Sequence, residues 1–308
     1  MNITSNYNGS FLGFLYLLLE IGNQVLTKGA AYLITGIQYK ESLPVMSQTE
    51  DPIGAYTDDV PASSTVTTTY AERVLEPQDM TLFEKDIKPN DLRRIWPQWQ
   101  PGGDLTNLMM NVEFLGKMFM RYFNGAGTQI AKCFWQGDTT SGTPALTLFN
   151  GIITRLVADG GYIAVTPAGA ITKANVVDRV QEVWDAIPDK FLDDPEVYIN
   201  MNTTDYKLLQ AFNNDAKKTT VGVLSEDIQS LFLNKRIRHF TGLPKNYIVA
   251  AKSTLDERSN LFMGAFATED SPVFEKLANL GKNYGARIDW SIDANYRVAS
   301  EIVLYKPS

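Results

Sequence analysis

One cysteine and one histidine in 308 residues close off several classes of chemistry at the outset. Cys133 cannot form an intramolecular disulfide, so a disulfide-stapled secreted scaffold is excluded and a reducing compartment is expected. Its setting, Ile130-Ala131-Lys132-Cys133-Phe134-Trp135, is that of a core position. With His239 as the sole imidazole, a histidine-based metal site lacks ligands, and any Ser-His or Cys-His nucleophile must use this one ring. That ring sits in Lys235-Arg236-Ile237-Arg238-His239-Phe240, where adjacent cations disfavour its protonation, and it is assigned no role. No G-x-S-x-G elbow is present, Gly116-Lys117 lacks the upstream glycine of a phosphate loop, and no G-x-G-x-x-G opens a helix. The carboxylates Asp189, Asp193, Asp194 and Glu196 match no calcium-loop spacing. A chain without catalytic, cofactor-binding or metal-ligating residues is expected.

Positive charge is also short. Lys and Arg number 28 against 35 Asp and Glu, a formal net charge of -7, which removes the attraction that drives binding to phosphate backbones. Long apolar runs are missing too: Phe11 to Leu19 is broken by Glu20, Asn23 and Gln24 before it can span a bilayer. No basic residue precedes it, so secretion is not expected. Residues 10–35 are read as an apolar helix that needs a protein partner, with a membrane-surface helix as the alternative.

What is there is ordinary globular material, 44% hydrophobic and 20% charged. Residues 36–63, with Pro44, Pro52 and Pro61, read as an extended arm. Thr65 to Val74 and Met80 to Ile87 are dense in β-formers around the turn-like Glu76-Pro77-Gln78-Asp79, which predicts a hairpin at about 64–88. Neither strand has a fully apolar face, so the hairpin must lie on something else. From Asp104, the apolar positions Leu105, Leu108, Val112, Leu115, Phe119 and Tyr122 recur at helical spacing, and the pattern resumes from Ile130 to Trp135. One long helix, kinked near Gly125 and Gly127, is expected there. A second amphipathic helix runs from Asn175 to Ile187 and stops at Pro188. A strand at 197–199, a short helix capped by Thr203 or Thr204, strands at 247–251 and 260–267, and two β-rich runs near 286–293 and 296–305 complete a mixed α+β chain.

That order, together with several local stretches, resembles the major capsid proteins of tailed bacteriophages with the Hong Kong 97-type fold. Ile130 to Asp138 is similar to the family's helix end running into a Gly-Asp loop, and Gly151-Ile152-Ile153 to its Gly-Ile turn. Val197 to Asn202, followed by Asp205-Tyr206 and Leu208-Leu209, is similar to its strand, Asn-rich cap and helix. The resemblance implies an N-terminal arm at 1–50 and an extended loop at 51–100. It also implies a peripheral domain from 101–173 and 271–308 carrying the spine helix, and an axial domain at 174–270.

It further implies a non-enzymatic subunit that self-assembles as pentamers and hexamers into the icosahedral head of a virion. The shell encloses double-stranded DNA without sequence-specific contacts and is assembled in the host bacterial cytoplasm. No cofactor and no membrane are involved. Portal and minor capsid proteins are implied partners, and the shortness of the arm points to a separate scaffold protein. Subunit contacts are expected at Phe14 and Leu18 in the arm, and at Tyr70, Arg73 and Phe83 in the hairpin. Two basic patches, Arg93, Arg94 and Trp96, and Arg236 and Arg238, add candidates, since Arg and aromatic residues anchor interfaces. For these patches, stacking on bases and plain solvated arginines are the alternatives. The rival readings of the whole chain are an encapsulin-like nanocompartment shell, which encloses protein cargo, and an unrecognised soluble α/β hydrolase.

Overall fold

The computed structural model describes residues 23–48, 68–87, 112–165, 169–219, 231–232, 235–267, 273–276 and 284–307. Strands β1 (Tyr32–Thr35), β2 (Glu41–Gln48), β3 (Thr68–Leu75) and β4 (Gln78–Ile87) come first. The long helix α1 (Val112–Gln136), helix α2 (Ile152–Asp159), strand β5 (Ile163–Val165) and helix α3 (Val176–Asp185) follow. Strand β6 (Val197–Asn202) then leads into helix α4 (Thr203–Thr219). The chain closes with β7 (Leu231–Phe232), β8 (Lys235–Phe240), β9 (Ile248–Lys252), β10 (Leu261–Ala267), β11 (Val273–Lys276), β12 (Tyr284–Tyr296) and β13 (Val303–Tyr305).

The strands form three sheets. In the six-stranded sheet the order is β5-β13-β9-β6-β8-β7. In the five-stranded sheet β12 is the hub: β10 and β11 pair with it antiparallel, β4 pairs with it as well, and β1 runs parallel to β10. The third sheet is the two-stranded antiparallel ribbon β2-β3, with Met46 opposite Tyr70 and Glu41 opposite Leu75.

The six-stranded sheet separates two apolar cores, because its strands send alternate side chains to opposite faces. Along β9, Ile248 and Ala250 enter the core built with α3 and α4, while Val249 and Ala251 enter the core built with α1 and the five-stranded sheet. Along β13, Val303 and Tyr305 take the first side and Leu304 the second. A third, smaller cluster of Ile37, Leu43, Leu75 and Phe262 sits at the root of the ribbon.

Several expectations are corrected. The hairpin at 64–88 does not form: β3 pairs with β2, and β4 turns away to pair with β12. The turn-like Glu76-Pro77 therefore joins two sheets. The apolar helix expected at 10–35 is, in its described part, one helical turn at Gln24–Thr27 followed by strand β1. That stretch belongs to the body, since Val25, Ala30 and Ala31 are fully buried in the larger core. The helix α4 is capped by Asn202, whose side-chain oxygen accepts from the Thr204 amide at 2.7 Å, and not by Thr203 or Thr204. A division at residue 270 does not coincide with the sheets, because β10 belongs with β12 while β5 and β13 belong with β6 and β9. Helices α1 and α3, and strands β6, β9 and β10, lie where periodicity predicts them.

Candidate functional site

The expected contact residues fall into three groups. Phe14, Leu18, Arg93, Arg94 and Trp96 lie outside the described residues. Tyr70 on the ribbon is 76% exposed, Phe83 on β4 is 54% exposed, and Arg236 on β8 faces solvent. Arg73 and Arg238, by contrast, are engaged within the subunit. The Arg238 guanidinium lies 3.2 Å from the Tyr198 ring centroid and donates to the Gly29 carbonyl at 2.7 Å. Tyr70 and Phe83 do not share one ribbon, because Phe83 stands opposite Arg287 in the five-stranded sheet. An exposed aromatic that sequence reasoning missed is Tyr39, 72% exposed just before β2.

Arg73 belongs to a polar network that fastens the ribbon to the body. Its guanidinium bonds Asp159 at the end of α2 at 2.6 Å and stacks 4.1 Å over the Tyr296 ring. The Tyr296 hydroxyl donates to the same carboxylate. Next to it, Arg155 of α2 pairs with Asp293 of β12 at 2.6 Å, and the other Asp293 oxygen accepts the Glu76 amide at 2.9 Å. Asn295 donates to the Val74 carbonyl at 2.8 Å, and Ser291 to Asp79 at 2.6 Å. Three successive outward positions of β12 thus hold β3, the β3-β4 junction and β4. Alternation along β12 predicts a solvated polar face; instead Asp293 is fully buried beneath the junction.

Partial burial works against ionisation of Asp159, but the Tyr296 hydroxyl and Arg73 outweigh it and hold its carboxyl below the usual carboxylate range. At Asp293 the balance is reversed. Burial dominates and pushes its carboxyl up, despite Arg155 and the amides of Glu76 and Ala294. Replacing Asp293 with Ala leaves the junction amide without its acceptor and Arg155 without its carboxylate, its Nε keeping only the Asn150 carbonyl. The expected loss is about 2 kcal/mol, below the range for a fully enclosed pair because Arg155 keeps access to solvent, and a denaturant melt of the isolated subunit measures it.

A small cleft opens between these groups, lined by Arg73, Asn150, Thr154, Arg155, Asp159 and Asn295. Its cations are already neutralised by carboxylates of the same chain, so the arrangement is one of structural fastening. Among the described residues no group of His, Cys, Asp and Glu is placed to hold a metal ion, and no helix is long and apolar enough to cross a membrane. The buried Cys133 thiol is pushed up to about 11 by burial, and it donates to the Ala145 carbonyl.

No protein-family model matches the sequence, and no curated protein matches it. Solved structures match along almost its whole length. A chain of the satellite phage P4 procapsid, whose particle includes the size determination (Sid) protein, aligns with a TM-score of 0.63 at 13% identity, covering 98% of this chain and 92% of that one. The capsid of Myoviridae phage XM1 aligns at 0.54 and 12% identity, with 92% of each chain covered. The virus-like particle from Pyrococcus furiosus aligns at 0.53 and 8% identity, with 96% of each covered. The mixed helices and sheets of this chain therefore have the fold of phage capsid subunits.

Proposed function

We propose that this chain is the major capsid protein of a tailed phage, a non-enzymatic subunit that self-assembles into the icosahedral head around double-stranded DNA. The observation that carries the reading is the end-to-end match to the P4 procapsid chain, 98% of this chain against 92% of that one. The ribbon of this chain, held at the root and solvated along much of β3, suits a subunit that contacts its own copies.

In this reading the arm, 1–50, supplies β2 and the extended loop, 51–100, supplies β3, so the ribbon joins the two. The region of α1 and the five-stranded sheet is peripheral, and the region of α3 and α4 is axial. Tyr70, Phe83 and Arg236 are contact residues, joined by Phe14, Leu18, Arg93, Arg94 and Trp96; Arg73 and Arg238 serve by holding their own subunit in shape. Pentamers and hexamers, a separate scaffold, portal and minor proteins, and DNA held without base-specific contacts complete the assembly, which forms in the host cytoplasm and persists in the virion.

The test is sedimentation and electron microscopy of the expressed protein, alone and with the phage's scaffold. Closed shells that hold nucleic acid when taken from infected cells are expected, and a stable small oligomer under all these conditions overturns the reading. His239→Ala at neutral pH is expected to leave particle yield within about twofold of the parent, because among the described residues no catalytic partner set surrounds the ring. Loss of a measurable turnover in that variant contradicts the non-enzymatic reading.

A further inference from the structure

The segment Asn23–Ala31 is clasped to one end of β8. The Lys28 ammonium donates to the His239 carbonyl and lies 3.3 Å from Nδ1 of the same ring. The Gly29 carbonyl accepts from Arg238 at 2.7 Å, and the Gln24 side-chain oxygen accepts from the Thr241 amide and hydroxyl at 3.2 and 3.0 Å. On its other side His239 stacks on Tyr206 of α4, with centroids 4.8 Å apart and planes at 15°, and the Thr203 hydroxyl is 3.3 Å from Nδ1.

An ammonium has only donors, so the contact of Lys28 with Nδ1 is a hydrogen bond only for the neutral ring with its proton on Nε2, the tautomer that also accepts from the Thr203 hydroxyl. Protonating Nδ1 removes the acceptor and sets two cations 3.3 Å apart. We propose that the clasp between Asn23–Ala31 and β8 is proton-sensitive, closed by the neutral His239 ring and loosened when that ring takes up a proton.

The cations around the ring agree with this direction. Lys28 faces the ring from the N-terminal segment, Arg236 and Arg238 share its strand, and α4 presents the uncharged Thr203 and Tyr206. Asp205, on the same turn of α4, gives its carboxylate to the Asn246 amide at 2.7 Å and not to the ring. Among the described residues no carboxylate is bonded to His239. Burial and then Lys28 accordingly hold its pKa below the ordinary histidine value.

The sign follows from linkage. With the clasped pKa below the free one, the open form binds the proton better. The clasp's full strength is present above the ordinary histidine pKa and is lost as pH falls toward the clasped value. Asp205 and Asp293 are pushed up by burial and work the other way, since acid favours their folded forms. Carboxyls held below the usual range, Asp159 and Asp194, lose their stabilisation only in stronger acid, so loosening above a pH of about 5 is assigned to His239. Val25, Ala30 and Ala31 stay anchored in the core, so the loosening is local, centred on Thr27 to Gly29.

His239 is the only histidine, so its ring signals in the unassembled subunit report one site. Nuclear magnetic resonance titration is expected to give a pKa below about 6.5, and a value at or above that overturns the proposal. Amide-exchange protection at Lys28 and Gly29 is expected to fall between pH of about 7.5 and about 5, by about tenfold for each unit of that depression. In His239→Gln the fall is expected to vanish. In Lys28→Met the ring's pKa is expected to rise and the fall to shrink. Persistence of the full fall in either variant overturns the assignment. All readouts use the subunit before assembly, so they stand or fall independently of shell formation.

Discussion

Replacing residues 46–70 with a short Gly-Ser linker is expected to leave a soluble, cooperatively melting subunit that no longer closes into shells. The excised piece is the outer part of the ribbon, whose exposed Tyr70 contributes nothing to either large core. The root survives the cut. Leu43 and Leu75 remain in their cluster with Ile37 and Phe262, and Arg73 remains on Asp159 and Tyr296. An isolated two-stranded ribbon is marginal in water, so in the proposed assembly a neighbouring copy is expected to support it. The melting temperature should move by a few degrees only, while negative-stain images of assembly reactions should show no closed particles. Intact shells from the shortened chain eliminate the ribbon as an inter-subunit element, and a collapse in melting temperature shows that it serves its own subunit. The cut must stop before β4, because a deletion reaching residue 86 strips most of a strand from β12 and unfolds the five-stranded sheet.

Gly137→Ala should damage the fold more than any surface change. A Cβ at this position falls 2.2 Å from the Phe149 carbonyl oxygen and 2.6 Å from that of Cys133. Neither is a flexible side-chain end. The backbones are also tied here: the Gly137 amide donates to the Cys133 carbonyl at 2.8 Å, and the Gly137 carbonyl receives the Gly151 amide at 2.9 Å and the Thr154 hydroxyl at 2.6 Å. Relief requires the end of α1 to part from the start of α2, where Phe134, Trp135, Phe149 and Ile152 are fully buried. Overpacking against fixed backbone of this kind costs on the order of 4 kcal/mol, a large share of a typical domain's stability. The expected result is insoluble protein, or a melting temperature lowered by roughly 10 °C by circular dichroism. Gly125→Ala is the control: nothing lies within 4 Å of its Cβ position and it sits exposed within α1, so a gain of about 0.5–1 kcal/mol is expected. Near-equal melts for the two variants refute the close-crossing argument.

The stretches around Gly137 and Gly151 were singled out by the family resemblance, but not their close crossing; the helix ending at Gln136 was legible as 3.6-residue periodicity because that is a local pattern. The ribbon was not. Thr68–Leu75 has the composition of a strand, but its partner Glu41–Gln48 lies beyond a 19-residue connection and carries Pro44, which reads as a break and is in fact tolerated in a strand paired on one side only. The nearest strong β-run, at 78–87, therefore looked like the partner. The root network was equally hidden: Asp159, Asp293 and Tyr296 are ordinary members of a helix end and an alternating strand until the fold sets them beside Arg73 and Arg155. Arg73, singled out as a subunit-contact candidate, has its guanidinium engaged inside its own chain on Asp159 and Tyr296.

The sheet that both large cores share also fixes when the chain can fold as it leaves the ribosome. Its strand β13 lies between β5 and β9 and supplies Leu304 to one core and Val303 and Tyr305 to the other. The larger core in turn draws on residues from Val25 to Leu304. Neither core is complete until that late strand has emerged, which at about 5–20 residues per second is roughly a quarter of a minute to a minute after Val25 is made. During that interval the nascent chain has apolar faces without their final cover, a window in which general chaperones have something to hold. A half-made chain therefore has neither core closed, and the surfaces it presents are not those of the finished fold.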